Sequence, residues 1–557
     1  MAEKLMDLEH NAGINRFIKL AYMTLSSTGR IALQRLESTY REMECSMNEY
    51  VNSDEFDMTA FAYVSQRLPL SVFKCSTILF GQSESILEEN GIPLSSWEEV
   101  YAKARRRRYL YDGKETLIAF LSSKSDLDDV VPSLIALQLE WNKAHNLLRK
   151  LKSRSVLKKE DVMKALSLTE RGWANLKGTF GDELYDIIRT MMDRPCDIYV
   201  QNYEASYCRY RKETEKWWAH IATSAPGLEE KPVYFVSSNT HSIINLLSGF
   251  AESIEDEILS FAEGEPELQE VVDVYRETEE SLRKDNILYY LLMKAENGAE
   301  GRAIKERRRE YEKSVGIYRI ASRRTLDVPA EVIDLKRLYE HTKDIRTGMK
   351  IPPEIVESGA MLLNIDYPLG RTAYFILTKI AEHVEKILGV YVIGKAASLF
   401  ADRGDILIPS FIFDQHTRNR YFIDNRISSK DVIPYMDLSR HGVYDRQKAV
   451  TVLGTFLQNR EMLNDLLLSG ISDLEMEAGP YLSAIYEILN PKRYPENESV
   501  GAATDGLDVG IIHYVSDNPL SAHKLDSSLA TDGIDATYAA SRAVLSKIFE
   551  SICRRQC

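Results

Sequence analysis

The spacing of apolar residues divides the chain into a helical first part and a second part in which strands alternate with helices. The clearest helix signal lies at 131–152, where Pro132 and Ser133 suit a helix start. The apolar residues that follow at helical spacing are Leu134, Leu137, Trp141, Ala144, Leu148 and Leu151. Because long strand-like runs are scarce in this part, we predict an all-α domain over 1–225.

The pattern changes at about residue 226. Residues 233–236 form a short β-branched and aromatic run, which favours a strand. A loop of small polar residues follows at 237–241, and an apolar helix comes next. In such a unit the loop lies at the carboxyl edge of the sheet, where ligands tend to bind. Asn239 and His241 are therefore candidate binding residues; loop residues without a role are the alternative.

Further apolar runs bounded by turns predict a sheet in the rest of the chain. The predicted strands are 361–365, 389–394, 405–409, 450–454 and 509–515, with a turn at 395–397. Uninterrupted apolar strands are typical of parallel sheets that are covered on both faces. We therefore predict that 226–557 is a three-layer α/β/α domain with a mixed, mostly parallel central sheet. A charged helical segment at about 265–350 is predicted to be an insertion.

Composition and charge limit the class of protein. The chain has 557 residues and a net charge of −14, which argues against a broad nucleic-acid surface. No apolar run reaches the roughly 18 residues that a membrane span needs, and the N-terminus lacks the features of a signal peptide. The six cysteines form no CxxC pair. We expect them to be reduced in a cytoplasmic protein that binds neither nucleic acid nor membrane.

Sequence motifs for cofactors and metals are missing. There is no dinucleotide glycine fingerprint and no P-loop, and the ten histidines show no HxxxH or HExxH spacing. We therefore predict no cofactor and no metal. The sharpest basic run, 105–108, is interpreted as a solvated helix face, with a phosphate or an acidic partner as the alternative.

Four short motifs follow one another in the second part of the chain. They are Ile393-Gly394-Lys395-Ala396-Ala397-Ser398, Gly404-Asp405-Ile406-Leu407, Glu475-Met476-Glu477-Ala478 and Val515-Ser516-Asp517. In this order they resemble the purine nucleoside phosphorylase and nucleosidase superfamily, which includes methylthioadenosine nucleosidase, uridine phosphorylase and AMP nucleosidase. The resemblance covers 361–557 best. It implies cleavage of the N-glycosidic bond of a purine nucleoside or nucleotide, and a homo-oligomer.

The resemblance assigns separate roles to two carboxylates. Asp517, next to Ser516, would protonate N7 of the departing purine. Glu477 would accept hydrogen bonds from the 2′ and 3′ hydroxyls, because an ionised carboxylate only accepts. Met476 would lie against the ribose, and Glu475 belongs to the same binding motif. The alternatives are a strand-end carboxylate for Asp517, core packing for Met476 and a position at the helix start for Glu475.

The sequence does not decide whether water or phosphate is the nucleophile. The candidate residues for binding phosphate or a 5′-phosphate are Gly394, Lys395, Ala396, Arg371 and Arg418. Val392 stands where many phosphorylases have an arginine, and this loss favours hydrolysis. His241 is then the candidate that activates water. Phosphorolysis that uses Lys395 and Arg371 is one alternative, with phosphate as a second partner. A catalytically weak relative that binds a nucleotide or a partner protein is another.

Overall fold

The computed structural model describes residues 12–27, 29–151, 157–203, 206–298, 301–322, 326–342, 351–502, 506–520 and 531–556. It shows a mixed α/β protein with two separate sheets, which confirms the predicted α/β class. No helix in these ranges combines the length and the apolar character needed to cross a bilayer. The cysteines described there are free thiols, and the cytoplasmic location stays a prediction.

The first half of the chain contains nine described helices and six strands. The helices are α1 (Ala12–Leu25), α2 (Glu37–Glu42), α3 (Met58–Arg67), α4 (Glu84–Glu89), α5 (Lys124–Leu148), α6 (Lys159–Ala165), α7 (Glu170–Phe180), α8 (Leu184–Asp193) and α9 (Tyr207–Ser224). The strands are β1 (Ile31–Ala32), β2 (Thr77–Gly81), β3 (Glu98–Val100), β4 (Tyr109–Tyr111), β5 (Thr116–Phe120) and β6 (Tyr199–Tyr203).

The prediction of an all-α domain over 1–225 is wrong. The strands form one sheet in the order β1-β6-β2-β5-β4-β3, and β2 runs parallel to both β5 and β6. Strands β2 and β5 are five-residue apolar runs that are almost fully buried. Periodicity alone does not distinguish such a run from a turn of buried helix, so the pairing between distant segments decides the structure. Pro132 lies inside α5, which begins after a capping box formed by Ser123 and Asp126.

The second half of the chain contains the remaining described elements. Its helices are α10 (Ser242–Ser248), α11 (Phe250–Ser253), α12 (Glu255–Gly264), α13 (Gln269–Glu277), α14 (Ser281–Glu296), α15 (Gly301–Ser314), α16 (Leu335–Thr342), α17 (Ile355–Ser358), α18 (Thr372–His383), α19 (Ser429–Val432), α20 (Arg460–Leu468), α21 (Ala478–Leu489) and α22 (Thr531–Gln556). Its strands are β7 (Pro232–Ser237), β8 (Ile317–Ile320), β9 (Ala330–Asp334), β10 (Met361–Ile365), β11 (Lys386–Ser398), β12 (Ile406–Asp414), β13 (Arg420–Ile423), β14 (Val443–Thr451), β15 (Asp473–Glu475), β16 (Ser499–Ala502) and β17 (Asp508–Asp517).

These strands form one central sheet of mixed direction. Its order is β16-β13-β12-β14-β15-β11-β7-β10-β9-β8, and β17 pairs with both β11 and β12. Strands β10, β7, β11 and β17 run parallel to one another. The antiparallel pairs include β9 with β10 and β12 with β17. Parallel neighbours place their carboxyl ends at one edge, which is where the polar loops of this half collect.

Alternate residues of β7 face two different helical layers. Tyr234 and Val236 belong to an apolar cluster that includes residues of α10, α14 and α22. Val233 and Phe235 belong to another cluster, which includes residues of α9, α18 and α21. All four side chains are buried. The period of two along a strand therefore explains why this central strand is apolar throughout: it is covered on both faces.

Two local predictions in this half are wrong. The segment at about 265–350 is not purely helical, because β8 and β9 extend the central sheet along β10. The predicted turn at 395–397 is part of β11, which pairs with β17 through Ala397 and with β15 at Ala397 and Ser398. Partners on both sides satisfy the backbone of these small residues and keep the strand extended.

Candidate active site

A cavity of about 930 Å³ lies at the carboxyl ends of β7, β10, β11, β15 and β17. The first half of the chain supplies the opposite wall through α3 and the segment 102–106. Ligands of open α/β sheets bind at this edge, and small-molecule sites usually measure about 300–1,000 Å³. We therefore take this cavity as the candidate active site.

The cavity brings together nine of the twelve candidate residues from the sequence. These nine are Asn239, His241, Lys395, Ala396, Glu475, Met476, Glu477, Ser516 and Asp517. Segments 475–477 and 516–517 come from different strand ends, and they meet here because β15 and β17 both pair with β11. The register of the sheet thus places two carboxylates in one cavity.

Glu477 is the half-buried residue that immediately precedes α21. Its Oε1 atom accepts a hydrogen bond from the Gly370 backbone N–H at 3.3 Å. Burial, followed by the charge of the neighbouring Glu475, raises the pKa of Glu477 to about 8. This carboxyl group therefore holds a proton at neutral pH unless a ligand that donates hydrogen bonds stabilises its ionised form.

Glu475 lines the same wall but uses its oxygen atoms within the protein. Its Oε2 atom accepts hydrogen bonds from the backbone N–H groups of Glu477 and Ala478, each at 2.6 Å. Its Oε1 atom accepts a bond from the Thr451 hydroxyl. These bonds fix the first turn of α21, so we interpret Glu475 as a residue that positions Glu477.

A buried histidine lies behind these glutamates. The His513 Nδ1 atom is 2.7 Å from the Asp473 carboxylate, and both side chains are almost fully buried. Burial disfavours the charged ring, but the Asp473 carboxylate and the charges of Glu475 and Glu477 raise the pKa of His513 above its usual value. One buried histidine thus lies near three acidic side chains, Asp473, Glu475 and Glu477.

Asp517 is half-buried at the end of β17. The Ser516 hydroxyl lies 2.8 Å from the Asp517 Oδ2 atom, which holds the carboxyl group in place. Lys395 and Arg67 are close enough for the charge of Asp517 to affect the pKa of each. Asp517 thus faces two cations, one from each half of the chain.

His241 and Asn239 lie at the start of α10. The Asn239 Oδ1 atom accepts hydrogen bonds from the backbone N–H groups of His241, at 3.0 Å, and Ser242, at 2.7 Å. His241 lines the cavity and is exposed to it. Removal from bulk water, followed by the charges of Arg308 and Arg319, lowers the pKa of His241 to about 4. The imidazole is therefore neutral near pH 7 and able to accept a proton.

Three candidate residues lie outside the cavity wall. The Arg371 side chain lies 3.4 Å from the Tyr494 hydroxyl, behind the loop that leads into α18. Arg418 is an exposed turn residue with a φ of 60° between β12 and β13. Gly394 is buried under His513, where a Cβ atom would lie 2.9 Å from the ring. We therefore leave these three residues out of the proposed site.

The sequence matches one protein family over most of its length. The family model, described as a family of unknown function, DUF6909, matches residues 33–550. The chain belongs to DUF6909. No curated protein matches the chain.

Three solved structures match between 36% and 57% of this DUF6909 chain. Purine nucleoside phosphorylase from Toxoplasma gondii, in complex with immucillin-H, is 12% identical over 44% of this chain and 88% of its own, with a TM-score of 0.28. Futalosine hydrolase from Helicobacter pylori is 10% identical over 57% and 99%, with a TM-score of 0.29. A methylthioadenosine phosphorylase from an antarctic soil metagenomic library is 8% identical over 36% and 73%, with a TM-score of 0.26. Identities and TM-scores this low assign no function to this chain.

Sequence reasoning missed the cavity residues of the first half. The basic run 105–108, interpreted as a solvated helix face, lies outside any helix, and Arg105 and Arg106 line the cavity. Arg105 pairs with Asp129 at 2.7 Å, and Arg106 pairs with Asp366 of the second half at 2.6 Å. The run itself was the available signal, because four adjacent cations are costly unless several of them find acidic partners.

One possible metal-binding group exists among the described residues. Side-chain atoms of Glu215, Glu382 and His383 lie within 4.8 Å of one another. Lys379 already pairs with Glu215 at 2.7 Å and also with Glu382. A lysine ammonium thus occupies the position that a cation would take, and we assign no metal to this group.

Proposed function

We propose that this protein cleaves the N-glycosidic bond of a purine nucleoside or nucleotide. The observation that carries the proposal is that Met476, Glu477 and Asp517 reach one cavity from two different strand ends. Breaking the bond between C1′ and N9 develops positive charge on the ribose and negative charge on the base. One acceptor for the sugar and one donor for the base are therefore needed together.

Glu477 is proposed to hold the sugar. Its ionised carboxylate accepts hydrogen bonds from the two ribose hydroxyls, and these bonds stabilise the charged form of a group whose pKa burial raises to about 8. The negative charge then lies next to the developing ribosyl cation. Met476 supplies an apolar surface in the same wall.

Asp517 is proposed to protonate N7 of the purine. Its proton moves to the base as the C1′–N9 bond breaks, so that the base leaves as a neutral molecule. The Ser516 hydroxyl, 2.8 Å from Oδ2, orients the carboxyl group. This pairing supports a fixed donor position instead of a freely rotating strand-end carboxylate.

Hydrolysis is the reaction that we favour, with His241 as the base. Water attacks C1′, its oxygen forms the new C–O bond, and His241 accepts the proton that water releases. A pKa of about 4 keeps the ring neutral, so that a ring nitrogen can accept that proton, and it also makes the ring a weaker base than an ordinary histidine. Phosphorolysis is the second candidate, because Lys395 presents an ammonium group to the same cavity. A homo-oligomer stays a prediction.

The proposal is tested by measuring the release of free base from adenosine, inosine, AMP and ATP, each with and without inorganic phosphate. Release without phosphate, together with free ribose or ribose 5-phosphate, supports hydrolysis. Release that requires phosphate and yields a ribose 1-phosphate supports phosphorolysis. If no base appears from any of these substrates under either condition, the proposed activity is wrong.

A further inference from the structure

Two cations on the cavity wall near Asp517, Arg67 and Lys395, form no salt bridge with a described acidic side chain. Lys395 projects from β11 and makes no hydrogen bond or ion pair with a described side chain or backbone group. Arg67, at the end of α3, donates only to the Tyr63 carbonyl oxygen, at 3.2 Å, and makes no ion pair there. Arg67 is half-buried and Lys395 is exposed to the cavity, and partial removal from bulk water lowers the pKa of both groups. Neighbouring cations without a salt bridge attract an anionic ligand into a cavity.

Three other arginines of the cavity differ because each has an acidic partner. Arg105 pairs with Asp129, Arg106 with Asp366, and Arg308 with Glu296, at distances between 2.6 and 3.0 Å. Their charges are thus largely offset within the protein. Arg67 and Lys395 form no such ion pair, and they are near enough for the charge of Arg67 to lower the pKa of Lys395.

Arg67 is held in a fixed orientation. Its guanidinium carbon lies 3.3 Å from the centre of the Tyr63 ring, one helical turn earlier on α3. The Tyr63 hydroxyl is 3.1 Å from the Thr455 hydroxyl of the second half. The stacking keeps the planar face of the guanidinium on the ring, and the N–H groups that do not donate to the Tyr63 carbonyl oxygen are left to bind an anion. Such pre-organisation reduces the entropy that ligand binding costs.

We propose that Arg67 and Lys395 form a phosphoryl-binding subsite that the first half of the chain completes. A phosphoryl group carries two negative charges and matches the N–H edge of an arginine and the point charge of a lysine. The anion also offsets positive charge beside Asp517, the proposed proton donor. The identity of the rest of the ligand rests on the proposed function; the subsite itself does not.

The phosphoryl group has two possible sources with the same chemistry. It is either the 5′-phosphate of a nucleotide substrate or a free phosphate ion that attacks C1′. In the first case the protein prefers AMP to adenosine, and in the second case phosphate stimulates the cleavage of adenosine. Either preference must depend on Arg67 if the subsite is correct.

Binding is measured by isothermal titration calorimetry with ribose 5-phosphate, ribose and inorganic phosphate, none of which contains a glycosidic bond. We expect the wild type to bind ribose 5-phosphate or phosphate at least about tenfold more tightly than ribose, and Arg67→Gln to lose that preference. Arg67→Lys keeps the charge and is expected to retain part of it. Arg309→Gln, which removes an exposed arginine of α15, is the matched control and is expected to bind as the wild type does.

Equal binding of ribose 5-phosphate and ribose, with no binding of phosphate, overturns the subsite. An unchanged preference in Arg67→Gln overturns it as well. If circular dichroism shows that Arg67→Gln is unfolded, Lys395→Gln provides the same test from the other half of the chain.

Cleavage assays separate a failure of the subsite from a failure of the proposed function. If Arg67→Gln loses the preference for AMP over adenosine, the bound phosphoryl group belongs to the substrate. If it loses the stimulation by phosphate, the bound group is free phosphate. If ribose 5-phosphate binding depends on Arg67 but no base is released from any nucleoside, the subsite stands and the proposed function is wrong. If the wild type and Arg67→Gln both release base, with the same preference for AMP and the same dependence on phosphate, the proposed function stands and the subsite is wrong.

Discussion

Glu477 lies where β15 meets α21, and burial together with the neighbouring Glu475 raises its pKa to about 8. The sequence motif 475–478 identified this residue, but it gave no information on its protonation. That property depends first on burial, then on Glu475, and then on Gly370, Arg105 and His513, which lie outside the motif. A motif therefore predicts which residue acts, and only the surroundings of the side chain predict when it is ionised.

The pH dependence of cleavage follows from this raised pKa. Because Glu477 must be ionised to accept the ribose hydroxyls, we expect kcat/KM to increase as the pH rises from about 6 through about 8. Glu477→Gln is expected to lose this increase and to reduce kcat/KM by about 10²-fold or more. The exposed matched control Glu310→Gln should keep the wild-type profile. An identical pH profile in Glu477→Gln would exclude this role.

His241 gives a second prediction at the level of one residue. With a pKa of about 4, its ring is neutral over the working range and accepts the proton of the attacking water. We expect His241→Gln to lower the rate constant for hydrolysis by about 10²–10⁴-fold, with a smaller change in KM. Steady-state kinetics with HPLC detection of the base measures both constants. A variant with the wild-type kcat would show that another group activates water.

Secondary-structure elements differ in how well the sequence predicts them. The strands β7 and β10 were predicted at nearly the positions observed, because each is a short apolar run followed by a polar loop. The strands β2 and β5 were missed although their composition is similar. Their parallel partners are separated from them along the chain by at least one complete helix. Local patterns contain no information about such distant partners.

The junction of β15 and α21 gives a prediction about an element. Glu475 accepts hydrogen bonds from two backbone N–H groups at the start of α21 and from the Thr451 hydroxyl. We expect Glu475→Ala to reduce the free energy of unfolding by about 1–3 kcal/mol, because buried donors lose their acceptor. Glu475→Gln, which keeps one acceptor oxygen, should reduce the free energy of unfolding by a smaller amount. Urea unfolding measures both, and a stability of Glu475→Ala equal to the wild type would contradict the positioning role.

At the scale of the whole molecule, the two halves share one apolar cluster and one cavity. The cluster combines residues of the first half, including Tyr63, with Phe411 and Phe456 of the second. The cavity likewise needs Arg67 and Lys395 from different halves. No motif marks Tyr63 or Arg67, so the sequence predicted a site within the second half only. The missing part depends on how two α/β units pack, which residue spacing does not specify.

The shared cluster predicts that the halves unfold together. The Phe456 ring packs edge-on against Tyr63 at 5.5 Å and is 2% exposed. We expect Phe456→Ala to reduce the free energy of unfolding by about 3–5 kcal/mol and to keep a single transition. Urea unfolding followed by far-UV circular dichroism and by tryptophan fluorescence tests this. Two separate transitions in the wild type would show that the halves are independent.

The most direct test of the proposed cleavage is to measure base release by the wild type and by two variants of the proposed site. HPLC analysis of AMP and adenosine incubations measures free purine for wild type, Asp517→Asn and Glu477→Gln, with the exposed Asp273→Asn and Glu310→Gln as matched controls. We predict base release by the wild type and both controls, and a loss of about 10²–10⁴-fold in the two site variants. Equal release by all five proteins would contradict the assignment of Glu477 and Asp517, and the absence of release by the wild type would contradict the proposed reaction.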